Sequence, residues 1–423
     1  MPMRNWDWKS ILVGSFLFVV LFVVPAVMVG GGIRMKNASL AKILPKIEIT
    51  LKDTEIEAVK ENSKDERFVV EKLKITNRGE VLNFTELELK GRGNATWGQT
   101  KKPYQIKLPQ KADLLGLGKR RKWILLANSI DATNLRTDTA FYLERMLGEK
   151  FAYKGEFVDL YINGAYEGLY YLTRGIEVGK NAVDLKDPLG VLVELDNAYA
   201  KNEPKYYVTS KGEHLTVKDA RTKDHIDAAI EDFLIDFNKL ELAIERKDFK
   251  AIFQLIDVES FARYYLLEEF IVNADAYFTS QYFYKDGPED KIHAGPAWDF
   301  DIALNLSNDV GPDFDYTESL NQTEEAAVAD QYGNRSRLFA KLIEFPEFRV
   351  EVEKVFAGRM AGHKQELLDY ITERAAQIYD SALKDGKRWE KSNFADEVER
   401  LLDWVDARYD YFEKTYGQNL KNS

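Results

Sequence analysis

Hydrophobic and polar positions follow different periods in the two halves of this chain. From about Lys46 to Leu195 they alternate or cluster in short β-rich runs: Ile47–Leu51, Phe84–Leu89, Tyr104–Leu108, Trp123–Ala127 and Phe157–Ile162. A period of two sends successive side chains to opposite faces and predicts strands. One helix interrupts them over Thr133–Leu147, with Leu135, Ala140, Leu143 and Leu147 near one face and Asp131 placed to cap it. Asn163-Gly164, between VDLYI and YEGLYYL, has the composition of a two-residue hairpin turn. From about Asp224 onward the spacing is helical, over Ile226–Leu242, Val258–Asn273, Ser336–Ala357, His363–Leu383 and Phe394–Tyr416. The pattern predicts an α+β protein of two lobes enclosing a cleft: strand-rich over residues 46–223, helical over 224–423. A polar, acidic stretch from Asn305 to Gln331 reads as a long loop before the last helices.

The first residues follow neither period. Ile11–Val29 is apolar and free of charge, close to the length that crosses a bilayer and longer than a usual signal-peptide core. Trp6 and Trp8 sit where an interfacial anchor would. The expected layout is a tail at 1–10, a transmembrane anchor at 11–32 and a linker at 33–45, with a cleaved signal peptide as the alternative. The chain is then a single-pass membrane protein with its folded part expected on the extracytoplasmic side. Orientation stays open: Lys and Arg are commoner just after the span, which favours the cytoplasm, but long domains override that rule.

Composition narrows the chemistry. A net charge of −11 argues against a nucleic-acid partner, which needs a concentrated basic face. With no cysteine there are no disulfides, thiolate sites or thiol nucleophiles. The four histidines lack ligand spacing, so a zinc site is not expected.

Carboxylates carry the strongest signal. Asp299 and Asp301, in Gly295-Pro296-Ala297-Trp298-Asp299-Phe300-Asp301, share one side of any extended segment and offer hard oxygen ligands to Mg²⁺ or Mn²⁺. Their apolar neighbours imply burial, which a carboxylate tolerates only with a cation or basic partner. Asp275, just past a helix end, is placed to take a proton from an attacking hydroxyl; the competing reading is a turn or capping Asp. Upstream, Gly91-Arg92-Gly93 opens a glycine loop between two strands, either a phosphate lid or a plain turn beside a packed Trp97. Lys107, on the strand after that loop, can reach a phosphate or stand in solvent. Arg136 can pair with phosphate or with Asp131.

Together these blocks resemble the CotH kinase family, named for a spore-coat protein kinase. The resemblance rests on GRGNATWGQTKKPYQIKL, KRRKWILLANSIDATNLR, FVDLYINGAYEGLYYLT, NADAYFTSQYFYKD and GPAWDFD, in that order. It implies an atypical protein-kinase-like two-lobed fold that uses ATP and a divalent metal to phosphorylate Ser or Thr of protein substrates. On this chain it implies Asp275 as the catalytic Asp and Asp299 as the metal Asp, with Asp301 a second ligand. Gly91, Arg92, Gly93, Lys107 and Arg136 become nucleotide contacts. Three positions depart from the pattern. Thr173-Arg174-Gly175-Ile176 stands where similar sequences read Thr-Glu-Lys-Ile. Ser280 stands where ordinary kinases carry a metal-binding Asn, which leaves Gln281 or Asp301 to supply the ligand. Asp299-Phe300-Asp301 replaces Asp-Phe-Gly. The alternatives are a catalytically silent kinase-like module of the cell envelope and a glycosyltransferase, since Asp299-Phe300-Asp301 is also a D-x-D metal motif.

Overall fold

The computed structural model describes residues 43–273, 275–306, 316–317 and 336–417. The alternating runs become one sheet of β1 (Lys46–Leu51), β2 (Arg67–Asn77), β3 (Glu80–Phe84), β4 (Leu87–Gly91), β5 (Tyr104–Asp113), β6 (Lys119–Leu126), β7 (Gly155–Ile162) and β8 (Ala165–Arg174). The order is β1-β7-β8-β6-β5-β4-β2-β3, and β1 pairs with β2 as well, Lys46 opposite Thr76. Seven strands therefore close into a barrel, with β3 as a flap on β2. Closure gives every barrel strand two neighbours and removes exposed edges. Inward positions such as Ile49, Leu73, Leu89, Ile106, Trp123 and Leu160 are buried and form a core of their own.

This corrects the expected kinase-like two-lobed fold: the strand-rich N-terminal part is a closed barrel. The reason lies in β2, an eleven-residue strand hidden by its charged outer face (RFVVEKLKITN). It is long enough to meet β4 through Arg67–Val70 and β1 through Val70–Thr76. The expected run Phe84–Leu89 is likewise divided, because Glu86 takes a left-handed conformation between β3 and β4. Asn163 and Gly164 are both left-handed, as a tight β7–β8 hairpin requires.

A second sheet of β9 (Gly190–Leu195), β10 (Tyr207–Val208), β11 (His214–Ala220), β12 (Gln281–Asp286) and β13 (His293–Ala294) runs in the order β10-β11-β9-β12-β13. It draws strands from both sides of residue 223, so strand-rich and helical halves share a sheet. Its centre, β9, is buried throughout, which explains an apolar run (GVLVEL) without alternation. Helices Ile226–Glu245 and Val258–Ile271 cover one face, where Phe237 and Phe261 meet Phe283. The expected helix Ser336–Ala357 is two, Leu338–Leu342 and Pro346–Arg359, because Pro346 fits only a first turn. Helices Lys364–Trp389 and Phe394–Tyr416 complete the larger core.

The single-pass membrane reading is also corrected: among the described residues no helix is long and apolar enough to cross a membrane. Ile11–Val29 lies outside the described residues, as does most of the expected acidic loop.

Candidate functional site

The helix Val258–Ile271 starts where Asp257 accepts the Ser260 N–H at 2.8 Å and ends at Val272, which is left-handed with φ of 46°. That abrupt stop aims the following residues into a cleft. Asn273 then ties two parts of it together. Its Oδ1 accepts the Asp275 N–H at 3.3 Å, and its Nδ2 donates to the Asp299 carbonyl at 3.2 Å. Further along, Ser280 donates its hydroxyl to Asp299 Oδ2 at 3.0 Å. Ser280 and Asp299 are themselves left-handed, with φ of 54° and 73°. Non-glycine residues in this region cost about 1–3 kcal/mol each and persist only where surrounding contacts impose them. Three of them around one cleft mark it as a place where geometry outweighs stability.

The cleft has a volume of about 290 Å³ and is lined by Asp275, Asp299 and Asp301 together. Asp299 and Asp301 share it because the segment turns left-handed at Asp299, not because it is extended. Burial, then the charges of Asp299 and Asp275, push the Asp301 carboxyl well above the usual range. Arg92 also lines the cleft, half-buried, its guanidinium 5.5 Å from the Trp298 ring centroid. Burial lowers its affinity for a proton, and the nearby charges of Asp299 and Asp301 oppose that.

A second charged pair in the cleft has no clear signal in the sequence. Lys218, on β11, sits 2.5 Å from Glu194 on the adjacent β9. Glu194 also accepts the Tyr282 hydroxyl at 2.8 Å. Burial raises its pKa even though Lys218 opposes the change. These residues are far apart in sequence and meet only because β9 pairs with both β11 and β12.

The structure brings some expected residues to the cleft and leaves others out. Arg92 and Gly93 line it, and Gly93 is left-handed with φ of 79°. Gly91 instead makes room for Trp97, whose ring atoms would lie 2.5 Å from any added Cβ. Lys107 is on the barrel wall, 3.3 Å from Glu88. Arg136 is buried against Asp131 and donates to the carbonyls of Leu304 and Asn305 at 3.3 and 3.2 Å. Gln281 is fully buried in β12, one residue past the cleft-lining Ser280. Arg174 donates to the Ala152 carbonyl at 2.8 Å and does not line the cleft.

Among the described residues, no group of three or more acidic or histidine side chains is gathered tightly enough to hold a metal alone. The donor set still fits Mg²⁺ or Mn²⁺, because such cations are commonly held by one or two carboxylates plus substrate phosphates. Burial first, and then the neighbouring Asp299 and Asp275 carboxylates, raise the Asp301 carboxyl.

The barrel, the second sheet and this acidic cleft define a mixed α+β protein built around a closed seven-stranded barrel. The chain belongs to the CotH kinase family: the family model described as CotH kinase protein matches residues 89–412. That stretch takes in every residue of the cleft discussed above. No similar protein was found among the curated proteins.

Proposed function

We propose that the protein is an ATP-dependent kinase that phosphorylates Ser or Thr hydroxyls of protein substrates, with Mg²⁺ or Mn²⁺ as cofactor. The observation that carries this is the convergence of Asp275, Asp299 and Asp301 on one cleft that Arg92 also lines. Asp299 and Asp301 would hold the cation, which neutralises the charge of the nucleotide phosphates. Arg92 and Lys218 supply positive charge for the remaining phosphate oxygens, and Glu194 fixes the direction of Lys218. Asp275 accepts the proton of the attacking hydroxyl. That oxygen bonds to the γ-phosphorus as the bond to the β–γ bridging oxygen breaks. ADP leaves, and Asp275 passes its proton to solvent.

The test uses the full chain, γ-labelled ATP and Mn²⁺, with label scored on the protein itself and on a generic basic protein. Wild type is expected to incorporate label. Asp275→Asn and Asp299→Asn are expected to lose about 100-fold or more, in line with removal of a positioned base or a key charge. Metal-dependent ATP binding without transfer would favour a silent kinase-like module, and a preference for nucleotide sugars would overturn the kinase reading.

A further inference from the structure

The helix Arg136–Met146 grips the carboxylate-bearing segment at three points. At its C-terminal end Glu144, 2 % exposed, accepts the Ala297 N–H at 2.7 Å and the Tyr153 N–H at 3.2 Å. Ala297 lies two residues before Asp299. In the middle, Phe141 packs against Trp298 and Phe300, with ring centroids 5.6 Å apart in both cases. At the other end Arg136 donates to the carbonyls of Leu304 and Asn305, just beyond Asp301. Contacts at 297, 298–300 and 304–305 bracket both carboxylates on one rigid element. The Gly295 N–H donates to the Tyr282 carbonyl on β12 at 2.8 Å, but residues 296–300 belong to no strand or helix, so these contacts take the place of a strand ladder.

We infer that Glu144 is a positioning residue: its carboxylate fixes the backbone at Ala297 and thereby the placement of Asp299 and Asp301 toward the cation. This rests on the phosphotransfer reading above. Burial and the Glu149 carboxylate push Glu144 up to about 8, while the N–H groups of Ala297 and Tyr153 act the other way. Both carboxyl oxygens are used as acceptors, Oε1 for Ala297 and Oε2 for Tyr153, so the single amide oxygen of a glutamine cannot serve both. Groups behind metal ligands commonly change metal affinity by 10–100-fold when altered.

Glu149 supplies the control. It is a neighbour that burial pushes up to about 7, but its carboxylate accepts the Phe151 N–H and no hydrogen bond from the segment 295–301. The experiment compares wild type, Glu144→Gln and Glu149→Gln as full chains. It reads hydrogen–deuterium exchange of the peptide containing Ala297 without metal, and Mn²⁺ affinity in the presence of ATP. Glu144→Gln is expected to speed exchange at Ala297 and weaken Mn²⁺ binding about 10–100-fold. Glu149→Gln should leave both within twofold of wild type. Should Glu144→Gln fail to fold, Phe141→Leu loosens the middle of the same grip and carries the same expectation. The inference is overturned if Glu144→Gln keeps wild-type exchange and Mn²⁺ affinity, or if Glu149→Gln loses as much. A wild-type chain that binds no Mn²⁺ defeats the phosphotransfer reading itself and this inference with it.

Discussion

Two buried charge clusters in this molecule have opposite balances. Under the barrel, one carboxylate meets two cations: Asp385 lies 2.8 Å from Lys101 and 3.0 Å from Lys391, and accepts the Leu169 N–H at 2.9 Å. Burial alone would raise its pKa, but the two lysines outweigh burial and hold it below the ordinary range. In the cleft the balance is reversed. Asp275, Asp299 and Asp301 face Arg92, and Asp301 is pushed up. The first cluster gives its carboxylate two lysine partners, although burial lowers Lys101 to about 7, and ties the barrel to the helix Lys364–Trp389. The second, on the proposed function, would be completed by a divalent cation. The difference separates a structural use of buried charge from a chemical one.

Breaking the balanced cluster is expected to have the largest effect. Asp385→Ala leaves two buried lysines without their partner and should cost about 3–5 kcal/mol in denaturant unfolding. The same kind of truncation in the cleft should act oppositely. Asp301→Asn removes a charge that the folded state disfavours, so its melting temperature should rise while metal-dependent activity falls.

A pH experiment sharpens the contrast. Burial pushes Glu268, behind Asp275, up to about 8 from an ordinary 4.5. Between those values the folded protein holds a proton that the unfolded chain has lost. Its contribution to stability therefore declines as pH rises from about 5 to 8. Glu268→Gln removes that titration, so its melting temperature should fall less than that of wild type over this range. Equal slopes would show that Glu268 does not titrate this way.

Lys107→Ala should show the smallest effect. Both partners are partly exposed on the barrel's outer wall, so less than about 1 kcal/mol should be lost, with label transfer unchanged.

Much of this was legible in the sequence, and the misses have physical causes. Alternation exposes β1, β5 and β7 because buried positions largely alternate along each, whereas β6 shows through an apolar run in which Trp123, Ile124 and Leu125 are all buried. It could not show that β1 and β2 meet, since barrel closure depends on pairing between residues far apart in the chain. β9 was missed as a strand because a fully buried strand loses its period. The carboxylates were legible because acidic residues amid Trp298, Phe300 and Ile302 are costly unless used. Lys218 and Glu194 were not, because each is unremarkable until β11 and β9 stand side by side. For Lys107 and Gly91 the residues leave two readings open, and only the fold shows Lys107 paired with Glu88 away from the cleft and Gly91 making room for Trp97.

The central claim is that the cleft's excess of negative charge exists to hold a divalent cation together with a nucleotide. Calorimetric titration of Mn²⁺ into the full chain, with and without ATP, tests it most directly. Wild type should bind Mn²⁺ much more tightly when ATP is present, and Asp299→Asn should lose that gain. Equal Mn²⁺ affinity in wild type and Asp299→Asn, with or without ATP, would contradict the account.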